Sequence, residues 1–251
     1  MEMWQETALL LIAGVLTGVV NTISGSGTLF SLGAMIMIDI PIVLANTSNR
    51  PGVFVQNFSG LWSMSRHSSL SISKLPWDLV AFSTIGAMAG AYFAVNVSDQ
   101  MLVIVATLAM ISSLWMTLFP ISMPMLRNKN EKLLLRLKWL LFFITGFYGG
   151  LIQIGVGLLM LAVISNFVTE EYRQANMLKL AIILIYTVPT TVYFIVGDQI
   201  LWKVAILLAV GQFVGAYLAG FFIVVNKNVK FWSKLLTAVF SIVTLIKIWF
   251  F

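Results

Sequence analysis

The sequence has no cysteine and a single histidine, His67. Disulfides, thiolate metal sites and cysteine nucleophiles are therefore excluded, and a histidine-rich metal centre cannot be assembled. Acids are scarce, nine against fifteen Lys and Arg, and Asp39, Asp78, Asp99, Glu170, Glu171 and Asp198 all fall at the ends of apolar runs. No interior carboxylate offers itself as a proton carrier. There is no H-E-x-x-H signature, and His67 lies beside Arg66 in an expected loop. An enzyme or an assembly subunit thus finds little support, and no cofactor is implied.

Charged residues make up only 10% of the chain, hydrophobic residues 60%, and the mean hydropathy is +0.98. Soluble domains are about a quarter charged, so this composition is that of an integral membrane protein. Apolar runs of helical length fill nearly the whole chain, which favours an all-α membrane protein over a β-barrel. A secretory signal is not expected, because Met1–Thr7 carries Glu2 and Glu6 and no Lys or Arg. The net charge of +6 is confined to short loops, a pattern that orients a membrane protein and does not call for nucleic acid.

Ten apolar segments are expected, near 7–23, 28–40, 44–64, 76–95, 100–119, 139–152, 157–168, 172–196, 202–224 and 234–250. Two of them, 28–40 and 157–168, reach only about 18–20 Å as helices, short of a hydrocarbon core of about 30 Å. Each follows a glycine-rich break and reads as a half-helix, the returning arm of a re-entrant hairpin.

The sequence also repeats. Gly25-Ser26-Gly27 is followed 18 residues on by Ala45-Asn46, and Gly155-Val156-Gly157 is followed 18 residues on by Ala175-Asn176. "GAMAGAYFA" (Gly86–Ala94) faces "GQFVGAYLA" (Gly211–Ala219), each nine residues beyond a tryptophan, Trp77 and Trp202. Two repeats are therefore expected, 1–125 and 139–251, joined by a basic linker over 126–138. Each holds a hairpin-like pair, which ends on the side where it began, plus three spans. An odd number of net crossings makes the second copy upside down, an inverted-topology arrangement typical of secondary transporters. Eleven of the fifteen basic residues fall on one side, among them Arg66, Arg127, Lys129, Arg136 and Lys138, against Lys203 and Lys247 on the other. The basic side is expected in the cytoplasm and both termini outside.

Two cations remain inside apolar segments. Arg50 lies in "ANTSNRPGVF" and Lys179 in "ANMLKLAII". Snorkelling to an interface is the plain explanation; a fixed counter-charge for a bound anion is the functional one. The breaks favour the second. Asn21, Ser24, Ser26 and Thr28 surround the first and Gln153 precedes the other, while Gly25, Gly27, Gly155 and Gly157 free the backbone to turn. A half-helix starting there presents unpaired N–H groups and the positive end of its dipole, which suits an anion. Asn46, Asn49, Arg50, Asn176 and Lys179 complete the expected substrate set. Glycines serving only close packing are the competing explanation, and the one adopted for Gly86, Gly90, Gly211 and Gly215.

The stretch "GVLTGVVNTISGSGTLFSLGAM" followed by "LANTSNR", then "GFYGGLIQIGVGLL" followed by "QANMLKLA", resembles the TauE/SafE family of sulfite exporters, also called the toluene sulfonate uptake permease family. The likeness covers most of the chain. Ser24 and Ser26 stand among fewer glycines at the first break than the family commonly has, which reads as tuning of the site. The resemblance implies a transporter in the cell membrane for sulfite, sulfoacetate, another organosulfonate or an organic acid. An anion channel on the same site is the alternative. The partners implied are a small anion and the lipid bilayer, with a homo-oligomer left open.

Overall fold

A computed structural model describes residues 2–67, 75–118 and 131–226, together with positions 231 and 235. The described residues form helices and no strands: α1 (Met3–Ile23), α2 (Thr28–Met37), α3 (Ile42–Ser48), α4 (Arg50–His67), α5 (Trp77–Asn96), α6 (Asp99–Leu118), α7 (Glu131–Leu151), α8 (Val156–Phe167), α9 (Tyr172–Val196) and α10 (Trp202–Val225). Five of them are long and apolar enough to cross a membrane, namely α1, α5, the Leu134–Leu151 part of α7, α9 and α10. The expected last segment, 234–250, lies outside the described residues apart from Leu235, as does 126–130 of the expected linker.

The short helices come where the glycine breaks put them. α2 and α8 hold 10 and 12 residues, about 15 and 18 Å of helix. Two expectations need adjusting. Residues 131–138 are helical and open α7, because "EKLLLRLK" is made of strong helix formers that continue the apolar run without a break. The segment expected at 44–64 starts earlier and is interrupted at Asn49. Pro51 has no N–H to give to the preceding turn and its ring disfavours helical backbone at Arg50. The path still continues through Asn49, whose N–H bonds to the Ala45 carbonyl at 3.1 Å and whose carbonyl accepts from Val53 at 3.0 Å.

Small residues line the closest helix contacts, and many large apolar residues face outward. On α10 the buried face carries Ala205, Gly211, Gln212, Gly215, Ala216 and Ala219, while Ile206, Val210, Leu218 and Phe221 are exposed. Small residues inside let helix backbones approach, and large apolar residues outside meet lipid, where water gives no reason to hide them. α10 packs along α1 and α5 along α7. In these seams glycines recur at i, i+4: Gly14 and Gly18 against Gly211 and Gly215, Gly86 and Gly90 against Gly146 and Gly150. A Cβ at Gly14 would lie 2.7 Å from the Leu208 carbonyl oxygen, and one at Gly90 would overlap the Phe147 carbonyl oxygen. Alanine does not fit there without moving a backbone. The close-packing role expected for Gly86, Gly90, Gly211 and Gly215 is thus seen directly, and Gly14, Gly18, Gly146 and Gly150 share it.

Candidate functional site

The two breaks touch. Gly25 (φ 90°) and Gly155 (φ 70°) both adopt left-handed backbone, a conformation that favours glycine. The Gly157 N–H donates to the Gly25 carbonyl at 3.1 Å, and a Cβ on either Gly25 or Gly157 would overlap the other's backbone. The start of α8 is therefore docked onto the loop that ends α1. Neither α2 nor α8 has a side-chain cap on its first turn.

Around the first break most polar side chains are engaged locally. The Asn21 Oδ1 accepts from the Gly27 N–H at 3.1 Å, and its Nδ2 reaches the Thr28 hydroxyl at 3.5 Å. The Ser24 hydroxyl donates to the Val20 carbonyl at 2.8 Å and lies 3.0 Å from the Ser26 hydroxyl. These groups hold the shape of the turn. The second break is pinned differently, by the Tyr148 hydroxyl donating to the Ile154 carbonyl. Between them in the chain, Gln153 is fully buried, and neither atom of its carboxamide has a partner among the described residues.

The two cations do not snorkel. Arg50 and Lys179 are 0% and 1% exposed. Arg50 donates from Nη1 to the Gly149 carbonyl and from Nη2 to the Gly150 carbonyl, both at 2.6 Å, and Asn46 adds a bond to the Leu151 carbonyl at 2.9 Å. These are the last carbonyls of α7. Lys179 donates to the carbonyls of Asn21 and Thr22 at 3.0 and 2.9 Å, and Asn176 approaches that of Ile23 at 3.5 Å, with the Tyr172 hydroxyl donating to the same oxygen. These are the last carbonyls of α1. Each half of the chain thus supplies an asparagine and a cation that cap the broken helix of the other half.

The physical reason is the helix end itself. The last four carbonyls of a helix have no intrahelical partner and carry the negative end of its dipole. In a water-poor interior they need donors, and a cation answers both demands. Helix periodicity delivers the donors together: Asn46 and Arg50 stand at i, i+4, and Tyr172, Asn176 and Lys179 at i, i+4, i+7. Yet a carbonyl is not a full counter-charge. No carboxylate is among the hydrogen-bond partners of either cation, and the described residues hold no cluster of acids or histidines that could bind a metal. Arg50 is flanked by the Phe194 ring, 5.3 Å from its guanidinium carbon, and keeps its Nε–H unpartnered.

The sulfite exporter TauE/SafE family matches residues 10–248, nearly the whole chain. The chain belongs to that family. Neither a curated protein nor a solved structure matches it significantly. In this TauE/SafE chain every residue of the sequence-expected set is buried, and all but Asn49 belong to one of the two breaks or to the helix face that caps the opposite break. Asn49 alone turns elsewhere, accepting from Gln212 Nε2 of α10 at 2.9 Å. Sequence reasoning passed over Gln212, Gln56 and Tyr186, polar residues set within helix interiors, and Tyr172, which opens α9. Gln56 and Tyr186 occupy matching places, each ten residues beyond the repeated Asn46 and Asn176, and that spacing was the signal available. Family membership makes this a multi-pass membrane protein of a transporter family.

Proposed function

We propose that the chain is a secondary carrier that exports a small anion, sulfite, sulfoacetate or another organosulfonate, bound where the two breaks meet. The observation that carries this reading is the pair of buried cations without carboxylate partners, each fixed beside a break. Burying an ionised group in a bilayer costs several kcal/mol, a cost that function commonly explains. Family membership supplies the substrate class.

The architecture proposed is two inverted repeats, 1–125 and 139–251, with α2 and α8 as re-entrant arms. The exchanged capping of α1 and α7 and the paired glycine seams support it, since a two-fold relation generates such reciprocal contacts. Within it Asn21, Ser24, Ser26 and Thr28 shape one wall of the site and Gln153 another. Asn46, Asn176, Arg50 and Lys179 hold the helix ends and supply the charge. The basic linker faces the cytoplasm and the termini face outward, in agreement with the Lys and Arg asymmetry.

The test is flux through proteoliposomes containing the purified chain, across sulfite, sulfate, sulfonates and carboxylates. Saturable flux of sulfite or a sulfonate is expected. Flux of none of these anions would refute the carrier reading, and unsaturable currents far above carrier turnover would replace it with a channel.

A further inference from the structure

Tyr186 of α9 is fully buried, and its hydroxyl has no hydrogen-bond partner among the described residues. A buried hydroxyl without a partner is uncommon in a native fold and asks for an explanation. Its position gives one. A Cβ built on Gly149 would lie 2.6 Å from the Tyr186 hydroxyl and 2.8 Å from Val156 Cγ2. Gly149 carries the carbonyl that Arg50 Nη1 binds, and Val156 is the first residue of α8. The hydroxyl therefore sits against both edges of the second break, over a residue that has no side chain to cover it. Two more unpartnered groups belong to the same place: the Arg50 Nε–H on its guanidinium and the carboxamide of Gln153, inside the break. Three neutral or cationic groups with donors left unpartnered thus belong to one break or to the cation that caps it, and no acid is hydrogen-bonded to any of them.

We propose that the Tyr186 hydroxyl is a specificity-determining donor of the anion site. With the Arg50 Nε–H and the Gln153 carboxamide it provides one donor for each oxygen of a three-oxygen anion such as sulfite or a sulfonate. A carboxylate, with two oxygens, leaves one donor unanswered. Rejection of the analogue that leaves buried polar groups unpaired is a strong source of selectivity. The inference rests on the anion-carrier reading and adds the residue that sets preference within it. Tyr186 lies outside the glycine breaks and carries no charge, so only its spacing from the repeated Asn176 points to it.

The experiment uses the full-length chain in proteoliposomes, with sulfite, methanesulfonate and acetate as probes, and compares wild type with Tyr186→Phe. Removing one unpartnered oxygen should leave the melting temperature unchanged or slightly raised. The KM for sulfite and methanesulfonate should rise about tenfold, the loss typical of one hydrogen bond to a charged group, and that for acetate less than twofold. Preference for three-oxygen anions then collapses by roughly the same factor. Equal KM changes for all three probes, or none, would overturn the assignment while leaving the carrier reading intact. A marked fall in melting temperature would show the hydroxyl engaged in the fold and would overturn it as well. Wild-type flux of none of the probes would fail the carrier reading and take this inference with it.

Discussion

Substitution can separate the capping role that Arg50 has in the fold from the anion-binding role proposed for it. Its two 2.6 Å bonds to the Gly149 and Gly150 carbonyls hold the end of α7. Hydrogen bonds to a charged group contribute about 1.5–3 kcal/mol each, so Arg50→Gln forfeits about 3–6 kcal/mol from the pair. Removing a buried cation returns about 2.5–3.5 kcal/mol on membrane-insertion scales. The two effects largely offset, and the net destabilisation expected is roughly 0–3 kcal/mol. For a chain of this size that lowers the melting temperature by at most about 12 °C. Substrate binding has no such compensation. Loss of the fixed charge and of the Nε–H should weaken anion affinity ten- to a hundredfold, the worth of one charge-assisted hydrogen bond. Arg50→Lys keeps the charge but not the planar fork, and it cannot serve two carbonyls and a guest at once. Partial recovery of affinity with incomplete recovery of stability is the expected pattern. The assay is a thermal melt in detergent paired with anion binding and proteoliposome flux, at matched protein amounts. Wild-type affinity and flux in Arg50→Gln would refute the reasoning, whatever the melt shows.

Gly25→Ala should destabilise by at least about 2–3 kcal/mol, because φ is 90° and the new Cβ meets the Gly157 backbone. Gly33→Ala in the middle of α2, where nothing lies within 4 Å, should instead gain up to about 1 kcal/mol in helix propensity. Melting temperatures of the two variants should move in opposite directions, and a common shift would sink the docked-break geometry. Lys179→Gln is expected to weaken anion binding less than Arg50→Gln does, since an ammonium offers no fork; titration of both variants with sulfite gives the ranking. Reporter fusions should put the 126–138 linker in the cytoplasm and the C-terminus outside, and a cytoplasmic C-terminus would remove both the orientation and the inverted-repeat parity.

Much of the framework was legible because glycine and apolar length are local signals. The short α2 and α8 follow from runs too brief to cross, and the Gly25 and Gly155 turns from residues that tolerate positive φ. The Asn49 interruption was also readable, since Pro51 weakens helix at Arg50; the apolar run around it masked the signal. What could not be read was which helix end meets which cation. Arg50 and Lys179 look like lone charges in sequence, and their acceptors lie 99 and 157 residues away along the chain. A backbone carbonyl leaves no trace in residue identity, so the capping role stayed hidden behind the expected anion role. Tyr186 and Gln212 were missed for a related reason: a single polar residue in an apolar helix does not reveal its neighbours.

The exchanged caps also bear on how the chain is made. The end of α1 acquires its cationic partner only when Lys179 arrives, and α1 acquires its long glycine seam only with α10. At about 5–20 residues per second, translation leaves that helix end waiting roughly 8–30 s in the insertion machinery or the bilayer. Neither half can finish alone, because each carries the other's missing donors. Maturation should therefore be a single late event, and chains truncated before α9 should accumulate as substrates for membrane quality control, recognised by the uncapped carbonyls of α1.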